Sequence, residues 1–92
     1  MPPERTPMEH VIHVARLYHR GVICPTETWN VIYDGTEHLD VVALFRELAD
    51  DEQDLVRGIH RERPGSLENL AHSKPDSQFP AMLAWCVGGF ES

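Results

Sequence analysis

The sequence predicts an all-α single domain, and three observations predict it. A helix-start signal occurs twice near the N-terminus, a glycine stands where the first helix must stop, and apolar residues recur at three- and four-residue spacing. Thr6-Pro7-Met8-Glu9 and Cys24-Pro25-Thr26-Glu27 each place a small capping residue before a proline, with a glutamate three residues past the cap. That glutamate can accept the cap's own N–H while the cap side chain accepts the glutamate N–H, and proline suits the first helical position. Gly21 lies between the two signals, placed to end the first helix in a left-handed conformation.

The first helix is predicted over about 7–20. Met8, Val11, Ile12, Ala15, Tyr18 and Val22 mark one apolar face, and Glu9, His13, Arg16 and Arg20 form the opposite, wet stripe. Gly21-Val22-Ile23 is a short link, so the second helix, about 25–33, folds back on the first with Trp29, Ile32 and Tyr33 inward. Asp34-Gly35 is expected to end it. Thr36 is expected to cap a third helix over about 37–49, whose buried stripe is Val41, Leu44, Phe45 and Leu48. A third capping-type signal, Asp50-Asp51-Glu52-Gln53, opens a fourth helix over about 51–62 with Leu55, Val56 and Ile59 inward. Gly58 within it costs about 1 kcal/mol relative to alanine.

Arg63-Pro64-Gly65 is a strong stop. Residues 63–78 are expected to form a polar connector with at most a helical turn around Leu67 to His72, and residues 1–5 a flexible N-terminus. The segment 79–87 is apolar on every side, and helical and extended forms both suit it. A helical form would be capped at Ser77 and ended by Gly88-Gly89.

Composition bounds function more than it identifies it. The chain has 92 residues, 41% hydrophobic, and a formal charge of −7. Such a domain has few core residues to spare, which leaves room for stabilisation by a partner subunit. The charge argues against nucleic-acid binding, which needs a basic face. Over 35–56, seven carboxylates stand against Arg46 alone, a local net of −6. The apolar run from Ala81 to Phe90 is too short to span a bilayer. Two distant cysteines and no recognisable signal peptide give a reducing cytoplasm as the expected location.

Six histidines are the main reactive inventory. His10 and His13, three apart on one helix, could both reach a divalent metal, with His38, Asp34 or Cys24 as a third ligand. No H-E-x-x-H accompanies them. The competing reading is that these are solvated histidines pairing with nearby carboxylates. Cys24, at a helix N-terminus, could be an activated thiolate paired with His19 or His38, or simply the residue that holds a cap. The acidic run around Asp50 could hold a cation, but it lacks the spacing and central glycine of an EF-hand. Asp54 and Arg57 form the expected i,i+3 ion pair. No cofactor motif is present.

The segment Leu17-Tyr18-His19-Arg20-Gly21-Val22-Ile23-Cys24-Pro25-Thr26-Glu27-Thr28-Trp29-Asn30 resembles small bacterial helical proteins without an assigned activity, whose pattern is roughly L-Y-x-R-G-x-I-x-P-x-E-x-W-N. Its helix, Gly21, cap and Glu27 are also similar to short bacterial oligomerisation domains ending in such a hairpin. There a threonine usually holds the cap and an aromatic follows the glutamate directly; here Cys24 replaces the threonine and Trp29 is displaced by one. The resemblance implies a helical hairpin and self-association, and carries over no catalytic residue.

The sequence therefore favours a small non-enzymatic interaction or regulatory module that self-associates, as a homodimer or with another protein. Its expected interface is the apolar tail, namely Phe79, Met82, Leu83, Trp85 and Phe90. The alternatives are a metal-binding protein or metal-dependent enzyme using His10 and His13, and an acidic inhibitor that mimics nucleic acid through the carboxylates of 37–54.

Overall fold

The computed structural model describes residues 6–88, which form six helices around one core: α1 (Pro7–His19), α2 (Pro25–Thr36), α3 (Val41–Arg46), α4 (Asp50–Glu62), α5 (Pro64–Ser73) and α6 (Phe79–Cys86). The expectations for residues 1–5, Gly89 and Phe90 lie outside these.

The α1–α2 hairpin forms as its signals require. Thr6 Oγ1 accepts the Glu9 N–H at 3.2 Å, and Glu9 Oε1 accepts the Thr6 N–H at 3.0 Å. Gly21 adopts φ +80°. Around it the Val22 N–H donates to Leu17 O and the Gly21 N–H to Tyr18 O, the paired bonds of a Schellman stop. At α2, Cys24 Sγ accepts the Glu27 N–H at 3.5 Å, so sulfur holds the position an oxygen usually fills.

The later boundaries differ from the sequence expectation, for local reasons. Helix α2 runs through Asp34-Gly35, and Thr36 is its last residue, with its buried hydroxyl donating to Ile32 O at 2.7 Å. The cap of α3 is instead Asp40, whose Oδ1 accepts the N–H groups of Val42 and Ala43. Helix α3 stops at Arg46 because the next two N–H groups close tighter bonds, Glu47 to Leu44 O and Leu48 to Phe45 O. Gln53 Nε2 then donates to the freed carbonyls of Arg46 and Leu48. Ala49 precedes α4 in extended geometry, with its N–H held by Glu52 Oε1 at 2.9 Å.

The expected polar connector contains a full helix. Pro64 starts α5, and Leu67 and Ala71 are buried from its inner face. Proline opens α1, α2, α5 and α6 alike. The apolar tail is helical, with Gln78 as its N-cap residue where Ser77 was expected, although Ser77 Oγ accepts the Phe79 N–H. Gly88 ends it at φ +84°.

Helix α6 completes the core. Phe79 stacks on Tyr33 at 4.8 Å between centroids, and Trp85 packs on Phe45 at the same distance. Arg57 lies over the Trp85 ring at 4.1 Å and donates to Trp85 O, locking α4 to α6. Gln78 bridges the 36–41 link: its Nε2 donates to Leu39 O at 2.6 Å and its Oε1 accepts the Val41 N–H at 3.0 Å. Val11, Val14, Trp29, Ile32, Val56 and Ile59 fill the centre. Val22, assigned to the inner face of the first helix, is 60% exposed because it follows the turn at Gly21. Val14, outside the expected stripe, is buried. Among the described residues no helix is long and apolar enough to cross a membrane.

Candidate functional site

Helix α1 is held from two sides by its own histidines, and both land on glycines. His10 Nε2 is 3.1 Å from Val31 O on α2, with its ring over Gly35, where a methyl group would overlap it. His19 Nε2 is 2.8 Å from Leu55 O on α4, and a methyl at Gly58 would stand 3.3 Å from His19 Cε1. Gly58, costly to a helix in isolation, thus permits a close approach. Because the acceptors are carbonyls, each histidine serves as donor, a role open to both the neutral and the charged ring. Tyr18 adds a third tie, its hydroxyl donating to Glu62 Oε1 at 3.0 Å. Burial raises the Tyr18 pKa above its ordinary value of 10.0, helped by the Glu62 hydrogen bond and charge and opposed by Arg63.

His10 is engaged with Val31 O on α2, and His13 lines a groove along α1. Among the described residues no three His, Cys, Asp or Glu side chains are grouped to hold a metal ion. The expected thiolate pairs do not form either: His19 is bonded to Leu55 O, and neither His19 nor the exposed His38 hydrogen-bonds to Cys24. Asp54 pairs with Arg61 at 3.3 Å, not with Arg57, which is committed to α6. Asp40 and Glu52 serve as caps.

The residues expected to form an interface are mostly interior. Phe79 and Met82 are fully buried and Trp85 is 2% exposed within the single chain, while Leu83 is half-buried. Phe79, Met82 and Trp85 therefore pack into the core of their own chain, and Phe90 lies outside the described residues. Cys86 is half-buried near Arg57, and desolvation pushes its thiol from 9.0 up to about 12. Two buried polar atoms, Trp29 Nε1 and His60 Nδ1, have no hydrogen-bond partner among the described residues.

The site that the fold does build is a groove of about 680 Å³ between α1 and the α3–α4 corner. Ile12 and Leu48, both nearly buried, form its floor with Met8 and Leu17. Glu9, His13, Arg16 and Arg20, the stripe expected to be merely wet, make one wall, and Glu52 stands on the other. The two glutamates are tied to backbone N–H groups at their caps. The side chains of Arg16 and Arg20, one turn apart, make no ion pair or hydrogen bond among the described residues. Thr6, the one hydroxyl among the described lining residues, accepts the Glu9 N–H.

Periodicity found the basic stripe but not the groove, because Leu48 and Glu52 meet α1 only through tertiary packing. The volume is within the usual range of binding clefts. No family model matches the chain, and no curated protein or solved structure shows significant similarity to it. The class defined by fold and site is a small all-helical domain with one charged-rim groove characterised among its described residues.

Proposed function

We propose that the protein is a small non-enzymatic interaction module that self-associates, and that the α1/α3–α4 groove is its docking face. The observation that carries this reading is the groove itself, an apolar floor under a wall of two arginines that form no ion pair among the described residues. Binding energy at protein interfaces concentrates where apolar anchors sit beneath a charged rim, and arginine is enriched there. With Phe79, Met82 and Trp85 buried in the core, the docking element of this reading is the solvated face of α1. The resemblance of Leu17 to Asn30 to oligomerisation hairpins points the same way. Two free cysteines, one of them exposed, suit a reducing cytoplasm.

Native mass spectrometry of the untagged full chain, purified without chelator, tests this reading. A homodimer without added mass supports it. A monomer carrying a metal ion that is lost on His10→Ala or His13→Ala would return the argument to the metal alternative.

A further inference from the structure

We infer that the groove docks an acidic amphipathic helix of another protein, with two of its carboxylates on Arg16 and Arg20 and its apolar chains on the floor. This use goes beyond self-association and rests on the reading of the groove as the docking face.

Met8, Ile12, Arg16 and Arg20 all line the groove, and they fall four residues apart in one row along α1 and its C-cap. At about 1.5 Å per residue the row spans about 18 Å. Its first half is apolar and its second half cationic. Leu48 joins Ile12 in the floor, and both are nearly buried. The α1 side of the groove thus has an apolar end and a basic end along a single line.

The carboxylates of the lining do not cancel the basic end. Glu9 precedes Arg16 by seven residues, about 10 Å along the helix axis, and its Oε1 accepts the Thr6 N–H. Glu52 Oε1 accepts the Ala49 N–H at the start of α4. Both glutamates stand in the first turn of a helix, where the partial positive charge of the backbone offsets them. Arg16 and Arg20 are exposed, and their side chains make no ion pair or hydrogen bond among the described residues. The charge left for a partner to meet is therefore positive and lies at one end.

A helix suits this row because it repeats the row's spacing. Side chains four apart on a helix stand about 5–6 Å apart at Cβ. Two carboxylates at that spacing match Arg16 and Arg20, and apolar chains one and two turns farther on reach Ile12, Leu48 and Met8. The guanidinium–carboxylate pairs fix the direction. Reversing the helix would set its carboxylates over Met8, beside Glu9.

The test is fluorescence anisotropy of a labelled synthetic peptide titrated with the untagged full chain. The probe is an alanine-based helix carrying two glutamates one turn apart and leucines one and two turns beyond them. A control peptide has lysines in place of the glutamates. Saturable binding of the acidic peptide alone is the expected result, weakened about tenfold or more by Arg16→Gln with Arg20→Gln. Arg16→Lys with Arg20→Lys, which keeps the charge, should retain more of the binding, and circular dichroism should give wild-type helicity for both pairs. Equal binding of the two peptides, equal binding by wild type and the glutamine pair, or no binding at all would overturn the inference. Native mass spectrometry without peptide reads self-association separately. A monomer that binds the acidic peptide would overturn self-association and uphold this inference. A dimer that ignores the peptide would do the reverse and leave a second copy as the occupant.

Discussion

Gly35→Ala should destabilise the protein in the presence of His10 and stabilise it in its absence. The glycine is in the last turn of α2, where alanine alone would gain about 0.5–1 kcal/mol of helix propensity. Its new methyl would overlap His10 Cδ2 and lie 2.5 Å from Nε2. The imidazole must therefore swing away. That forfeits the 3.1 Å bond to Val31 O, worth about 0.5–1.5 kcal/mol net, and adds about 1–3 kcal/mol of overpacking to the α1–α2 contact. The balance is a loss of about 0.5–4 kcal/mol, each kcal/mol worth roughly 4–8 °C in Tm for a domain of this size. His10→Ala removes the obstruction, so Gly35→Ala on that background should recover about 0.5–1 kcal/mol. The coupling energy of the cycle is then about 2 kcal/mol, well above the few tenths found for independent sites. Urea denaturation followed by circular dichroism measures all four corners. If the two substitutions are additive, or if Gly35→Ala raises stability with His10 present, the docking of His10 on α2 is refuted.

Three further outcomes are expected. Ellman's reagent at pH 8 should label Cys24 rapidly and Cys86 much more slowly, since one thiol is exposed and the other is half-buried and raised to about 12; two equally fast thiols would contradict the α6 packing. Tyr18 has a folded pKa above its unfolded value of 10.0, so the stability it contributes is complete below about pH 10 and is lost as pH rises through the folded value. The stability advantage of wild type over Tyr18→Phe should accordingly hold up to about pH 10 and shrink above it in urea titrations, and a constant difference would remove the Glu62 tie. Deleting residues 77–92 should abolish cooperative unfolding altogether. Trp85→Ala alone costs about 3–5 kcal/mol of a total near 5–15 kcal/mol, and a folded, truncated monomer would show that α6 is not part of the core.

The hairpin was legible because its signals are local: a cap, a proline, a glutamate three residues on and a glycine stop all act within one turn. The errors arose where one residue had two local meanings and tertiary packing chose between them. Pro64 was taken as a terminator, yet it begins α5 in the manner of Pro7 and Pro25, and Leu67, Leu70 and Ala71 behind it carry helical spacing. Thr36 has the chemistry of a cap but spends its hydroxyl on Ile32 O, while Asp40 caps α3. Gly35 reads as a helix end and Gly58 as a cost within its helix because their purpose lies in histidines 25 and 39 residues away. The site was half legible. The stripe of Glu9, His13, Arg16 and Arg20 was visible as a face, but the Leu48 floor and the Glu52 wall arrive only when α3 stops short at Arg46 and the chain turns into α4.

Sedimentation equilibrium of the untagged chain, from micromolar to millimolar, tests the self-association account most directly. The account predicts a mass approaching twice 10.5 kDa at high concentration, falling toward 10.5 kDa on dilution. A mass of 10.5 kDa under every condition would contradict it.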